Sequence, residues 1–100
     1  MIADVREKNG YYEVLDERGK KIKEFSSSAG DICGHGSDFI VFNKNGYFVI
    51  VDDTGSKLKE MSVSSCGDFK KANGDIILFE RNSYVTSCDK NGRKIAEWHA

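Results

Sequence analysis

Short apolar runs alternate with polar turns along the whole chain. Phe39-Ile40-Val41-Phe42 and Ile76-Ile77-Leu78-Phe79 are runs of β-branched and aromatic residues, the pattern of strands buried on both faces. Asn45-Gly46 follows the first run and predicts a two-residue hairpin turn in which both central residues take positive φ. Tyr47-Phe48-Val49-Ile50-Val51 then predicts a second strand, ended by Asp52-x-x-Gly55. Asp at the first place and Gly at the fourth suit a type I turn closed by a left-handed glycine. Lys57-Leu58-Lys59-Glu60-Met61 predicts a third strand.

The same pattern occurs three times, at a period of 36 to 37 residues: Asn9-Gly10-Tyr11 through Asp16, Gly19, Ile22 and Phe25; Asn45-Gly46-Tyr47 through Asp52, Gly55, Leu58 and Met61; and Asn82-Ser83-Tyr84 through Asp89, Gly92, Ile95 and Trp98. Gly30-Asp31-Ile32 matches Gly67-Asp68-Phe69, and these segments are expected to add a short fourth strand. The expected fold is a single all-β domain of three tandem antiparallel β-meanders, with units at about 1–29, 30–66 and 67–100.

A three- or four-stranded meander at this period resembles a β-propeller blade. The wording of the repeat, an aromatic residue, then Asp-x-x-Gly-Lys-Lys-Ile and a following Glu, also resembles that of small bacterial repeat proteins. Lys20-Lys21-Ile22 matches it fully, whereas Lys57-Leu58 and Arg93-Lys94-Ile95 each change one residue. The chain departs from it at Tyr11, Tyr47 and Tyr84, where a Trp is expected. The resemblance spans nearly the whole chain and implies a fold but no activity.

Propeller rings usually hold about four to eight blades. Three units therefore leave three assemblies: a six-bladed homodimer, a three-fold arrangement within one chain, or an open stack. The middle copy is apolar on both faces. In the first copy Asp4, Arg6 and Glu13 take the places of Ile40, Phe42 and Val49, and the third softens at Thr86 and Ser87. Polar terminal repeats are what an open, capped array requires.

Composition narrows the function classes. The net charge of −1, with lysines interleaved among acids, is unlike the concentrated positive face of a nucleic-acid binder. Lys21, Lys23, Lys57, Lys59 and Lys94 lie on the third strands beside glutamates, where lysine discourages unwanted sheet pairing. No apolar run approaches the roughly 18 residues of a membrane span, and Met1 to Lys8 lacks a signal-peptide core. No nucleic acid, no membrane and a cytoplasmic location are expected.

Candidate chemistry is sparse. The Asp-x-x-Gly turns lack the ligand series of a calcium loop. Cys66 and Cys88 stand where sister units have Ala29 and Val51, as small apolar fillers do. Asp31, Cys33 and His35 form the one metal-like cluster the repeat leaves unexplained. No catalytic residue and no cofactor are expected, because each recurring acid has an equivalent in every unit. The expected role is a non-catalytic interaction or scaffold domain with a protein partner, binding through a rim of inter-unit loops at Ser28, Asp31, His35, Ser65 and Asp68. The alternative is a lectin-like sugar- or small-molecule-binding protein, with tyrosines that stack on ligands where they do not pack in the core.

Overall fold

The computed structural model describes residues 1–100 as three antiparallel sheets stacked face to face. The first sheet holds β1 (Asp4–Lys8), β2 (Tyr11–Leu15) and β3 (Lys21–Ser26). The second holds β4 (Asp31–His35), β5 (Phe39–Lys44), β6 (Tyr47–Asp52) and β7 (Lys57–Ser62). The third holds β8 (Asp68–Asn73), β9 (Ile76–Arg81), β10 (Tyr84–Asp89) and β11 (Lys94–His99). Strands within each sheet lie in chain order, as a meander demands. The Gly-Asp segments do form fourth strands, β4 and β8, whereas the first unit has no counterpart to them.

Turn chemistry fixes the register. Asn9-Gly10 and Asn45-Gly46 have positive φ at both residues, and Asn82-Ser83 adopts the same turn with Ser83 at φ 68. Serine there carries the left-handed strain that glycine avoids. Gly19, Gly55 and Gly92 close the second turns at φ 79, 94 and 80. In each of these turns the aspartate Oδ1 accepts backbone N–H bonds, at 2.9 to 3.0 Å, from the second and fourth residues after it. A one-residue bulge follows on each third strand, between Val14 and Leu15, Ile50 and Val51, and Ser87 and Cys88 on its partner.

Because side chains alternate across a strand, each sheet offers two faces. The middle sheet uses both. Ile40, Phe42 and Val51 pack on Ile2, Tyr12 and Val14 of the first unit. Phe39, Val41, Phe48 and Ile50 pack on Ile77, Phe79 and Cys88 of the third. Aromatic pairs knit both seams: Tyr12 and Phe25 on Phe42, and Phe48 and Phe69 on Phe79, with ring centroids 4.9 to 6.2 Å apart. Only 16 of 100 residues are buried, so these two seams are the core.

The segments expected to be open loops between units contain short helical turns at Ser27–Ala29 and Val63–Cys66. Ser26 caps the first, its hydroxyl oxygen accepting from the Ser28 N–H at 3.3 Å. The outer edge strands each carry a lysine paired with a glutamate three residues on: Lys21–Glu24, Lys57–Glu60 and Lys94–Glu97, at 3.2, 3.1 and 3.9 Å.

Candidate functional site

The residues expected to form one rim lie at opposite ends of the strands. Ser28 and Ser65 lie in the helical turns, and Asp31 and Asp68 open β4 and β8 beside them. His35 closes β4, four residues beyond Asp31, which at ~3.3 Å per residue places it roughly 13 Å away. Its Nδ1–H donates to the Gly36 carbonyl at 3.0 Å. Cys33 sits between them in a bulge, half-buried against the seam of the second and third sheets. Asp31, Cys33 and His35 thus follow one strand without meeting at a point, and no group of three His, Cys, Asp or Glu side chains converges anywhere in the chain.

The cysteine thiols are pushed above their ordinary range, in each case chiefly by burial, with the Asp31 charge adding to the effect at Cys33. Protonated thiols are weak nucleophiles and weak ligands. Cys88 lies in the core and Cys66 packs against it.

Comparison with family models, curated proteins and solved structures gives no match. Two features of the geometry therefore carry the functional argument.

One is a cleft of about 430 Å³ between the second and third sheets. Met61, Cys66, Phe79 and Cys88 supply apolar walls, and Arg81, Tyr84, Thr86 and Glu97 supply polar groups. Thr86 Oγ1–H donates to Glu97 Oε2 at 3.2 Å. In the seam before it, Phe25 and Val49 stand where this one has Met61 and Thr86, and they pack against the core. The smaller, more polar pair leaves the space open. Tyr84 belongs to a series. Tyr11, Tyr47 and Tyr84 are all half-exposed, at 48%, 46% and 47%, and pair across their hairpins with Lys8, Lys44 and Arg81. The expected core packing of these tyrosines is not what the fold gives them. Each is the first residue after its turn, at the end of the sheet beyond the core.

The other feature is the outer face of the third sheet. Ile76, Leu78, Val85, Ser87, Ile95 and Trp98 hold the repeat positions of Phe39, Val41, Phe48, Ile50, Leu58 and Met61. Those six pack in the seam against the third sheet, whereas none of the outer six joins either core cluster. Ile76, Ile95 and Trp98 are exposed, Leu78 is half-buried, and Val85 and Ser87 are screened by their neighbours. The softening expected of the third unit is thus divided between two sides. Thr86 faces the cleft and Ser87 faces outward, and the outer face is apolar at Ile76, Leu78, Val85, Ile95 and Trp98 but charged at Asp68, Lys70, Lys71 and Glu80 on its β8–β9 side.

The far end of the stack differs. The free face of the first sheet carries Asp4, Arg6, Glu13 and Leu15, and Arg6 Nε lies 2.8 Å from Glu13 Oε1. This hydrogen bond holds the Glu13 carboxyl below its usual range. The unpaired edge of β1 is charged as well, at Asp4, Arg6, Glu7 and Lys8. Charged edges resist strand addition.

No helix in the chain is long and apolar enough to cross a membrane.

Proposed function

We propose that this chain is a non-catalytic interaction domain that docks a protein partner through the outer face of its third sheet. The supporting observation is that this face keeps apolar residues, Ile76, Leu78, Val85, Ile95 and Trp98, at five positions by which the middle sheet binds the third, with no sheet to cover them. Exposed apolar faces of this kind mark interaction sites. Trp98 and Ile95 are its anchors, since an exposed tryptophan gains most from being covered. The raised thiols and the separation of Asp31, Cys33 and His35 favour binding over catalysis.

A photo-crosslinking residue at position 95, compared with one at position 4, tests this role. Discrete protein adducts from position 95 alone, lost on Trp98→Glu, are expected. Equal labelling from both positions would reject it.

A second reading, a sugar- or small-molecule-binding protein, draws on the three equivalent tyrosine–cation pairs and on the cleft beside Tyr84. Tyrosine rings flanked by a cation suit ligands with a flat hydrophobic face and an acidic group. It predicts that an acidic oligosaccharide perturbs the NMR signals of Tyr11, Tyr47 and Tyr84 together. Perturbation of none, or spread evenly over the surface, would remove it.

A further inference from the structure

We infer that the cleft between the second and third sheets binds a small aromatic carboxylate, whose ring takes the place that Phe25 fills in the first seam and whose acid group pairs with Arg81. The site rests on the cleft of the second reading above, not on the outer face, and narrows that reading to one place and one class of ligand.

The two seams are built from equivalent residues, so each shows what the other lacks. In the first, the rings of Tyr12 and Phe25 pack on Phe42, with centroids at 5.6 and 5.8 Å. In the second, Phe48 takes the part of Tyr12 and packs on Phe79 at 4.9 Å, but Met61 stands in for Phe25. Phe69 also meets Phe79, from β8 and outside the cleft. The Phe25 ring lies against Gly55, and the Met61 sulfur lies against the equivalent Gly92, each 3.1 Å from the place a Cβ would take. The backbones thus match, and only the side chain differs. Methionine is unbranched and flexible, so it leaves the place of a ring open and can move aside for one. Val49, Val51 and Ala29 of the first seam likewise become Thr86, Cys88 and Cys66. The space left is about 430 Å³, the size of a small-ligand site.

The polar groups set the charge of the ligand. Arg81 is the one basic side chain of the cleft. It has no acid partner, and its Nη1–H donates to the Ser65 carbonyl at a long 3.4 Å. Glu97, the one acid, already accepts from the Thr86 hydroxyl at 3.2 Å and lies 3.9 Å from Lys94. The uncompensated charge is therefore positive, on a guanidinium whose fork matches a carboxylate. Tyr84 stands opposite Arg81 across the hairpin, its ring held edge-on by His99 at 5.2 Å. Phe79 and Arg81 lie two residues apart on one face of β9, roughly 6.6 Å along the strand. That spacing suits a ring and a carboxylate joined by a short alkyl arm, as in 3-phenylpropionate.

NMR titration of the full chain with 3-phenylpropionate, read at the methionine methyls and tyrosine rings, tests the site. Saturable shifts are expected at Met61 and Tyr84, with Met1, Tyr11 and Tyr47 unmoved. The neutral 3-phenylpropionamide should bind at least fivefold more weakly, and Arg81→Gln should remove that preference. Met61→Phe, which restores the ring of the first seam, should abolish binding without lowering the melting temperature. No saturable shift, an amide that binds as well as the acid, or shifts centred on Trp98 would each overturn the site. So would a Met61→Phe chain that still binds, or one that cannot fold because no ring fits there. If Met61 stays silent while an acidic oligosaccharide moves all three tyrosines, the aromatic site falls and the second reading stands.

Discussion

At one end of the stack, Asp4, Arg6 and Glu13 replace the Ile40, Phe42 and Val49 by which the middle sheet grips its predecessor. At the other end, Ile76, Leu78, Val85, Ile95 and Trp98 stand where the middle sheet uses Phe39, Val41, Phe48, Leu58 and Met61 to grip its successor. The two ends arise from one repeat, yet the first is charged at its centre and the other only on its β8–β9 side. Three substitutions suffice to stop a sheet stack, because a seam cannot accept ionised groups without partners. The third sheet carries its charges, Asp68, Lys70, Lys71 and Glu80, on the β8–β9 side and leaves Ile95 and Trp98 of β11 apolar, so its cap is partial.

Substitutions at one seam position and at one position of the capped face should break this comparison most sharply. Ile50→Asp places a carboxylate in a fully buried seam and is expected to cost several kcal/mol, enough to unfold a marginal domain. Glu13→Ala, on the capped face, should shift the thermal midpoint only slightly. Equal shifts in thermal denaturation would refute the division into seam and cap.

Next comes one repeat position seen in three settings. Phe25, Met61 and Trp98 are equivalent, but only the first two pack in a seam. Phe25→Glu and Met61→Glu are expected to cost about 2–4 kcal/mol. Trp98→Glu should cost about 0.5 kcal/mol in the dilute chain. Urea unfolding at low protein concentration would show it, and a Trp98 variant as damaged as the Phe25 variant would mean that the outer face is already covered within the chain.

Acid should act more on the capped end. The Glu13 carboxyl is held low first by its hydrogen bond from Arg6, that of Asp16 by the Lys20 N–H, and that of Asp52 by the Thr54 hydroxyl. A depressed carboxylate stabilises fully above its unfolded value of about 4 and loses that contribution as pH falls through its folded value. Two of these three lie in the first unit. Hydrogen exchange is therefore expected to show β2 losing protection before β10 as pH drops below about 4. Simultaneous loss in both would show that the ends are not independent.

The smallest effect lies in the turns. Ser83→Gly relieves a serine at φ 68 and should stabilise by about 0.5–1 kcal/mol. The same change at Asn45, where the turn already has Gly46, should not. Chemical denaturation that finds no gain at position 83 would remove the strain argument.

The turns and strands could be read from sequence because their chemistry is local. An Asn-Gly pair or an Asp-x-x-Gly turn folds the same way wherever it stands, and the apolar runs of the middle unit declare two buried faces. The charged face of the first unit was readable for the same reason, by comparison with Ile40, Phe42 and Val49. The third unit misled because Thr86 and Ser87 are neighbours in sequence but point to opposite faces. Their polarity therefore does not add up to a cap. Asp31 and His35, close in sequence, lie at opposite ends of an extended strand, a separation that appears only once β4 is placed. The cleft was invisible, since it depends on Met61 of β7 meeting Thr86 and Glu97 across a seam that only the fold creates.

Trp98 is the chain's single tryptophan and stands on the face at issue, so its fluorescence reports on that face directly. Acrylamide quenching of Trp98 in dilute protein is the decisive measurement. The account predicts a readily quenched tryptophan with red-shifted emission, as its 45% exposure requires. A tryptophan already protected in the dilute chain would contradict it.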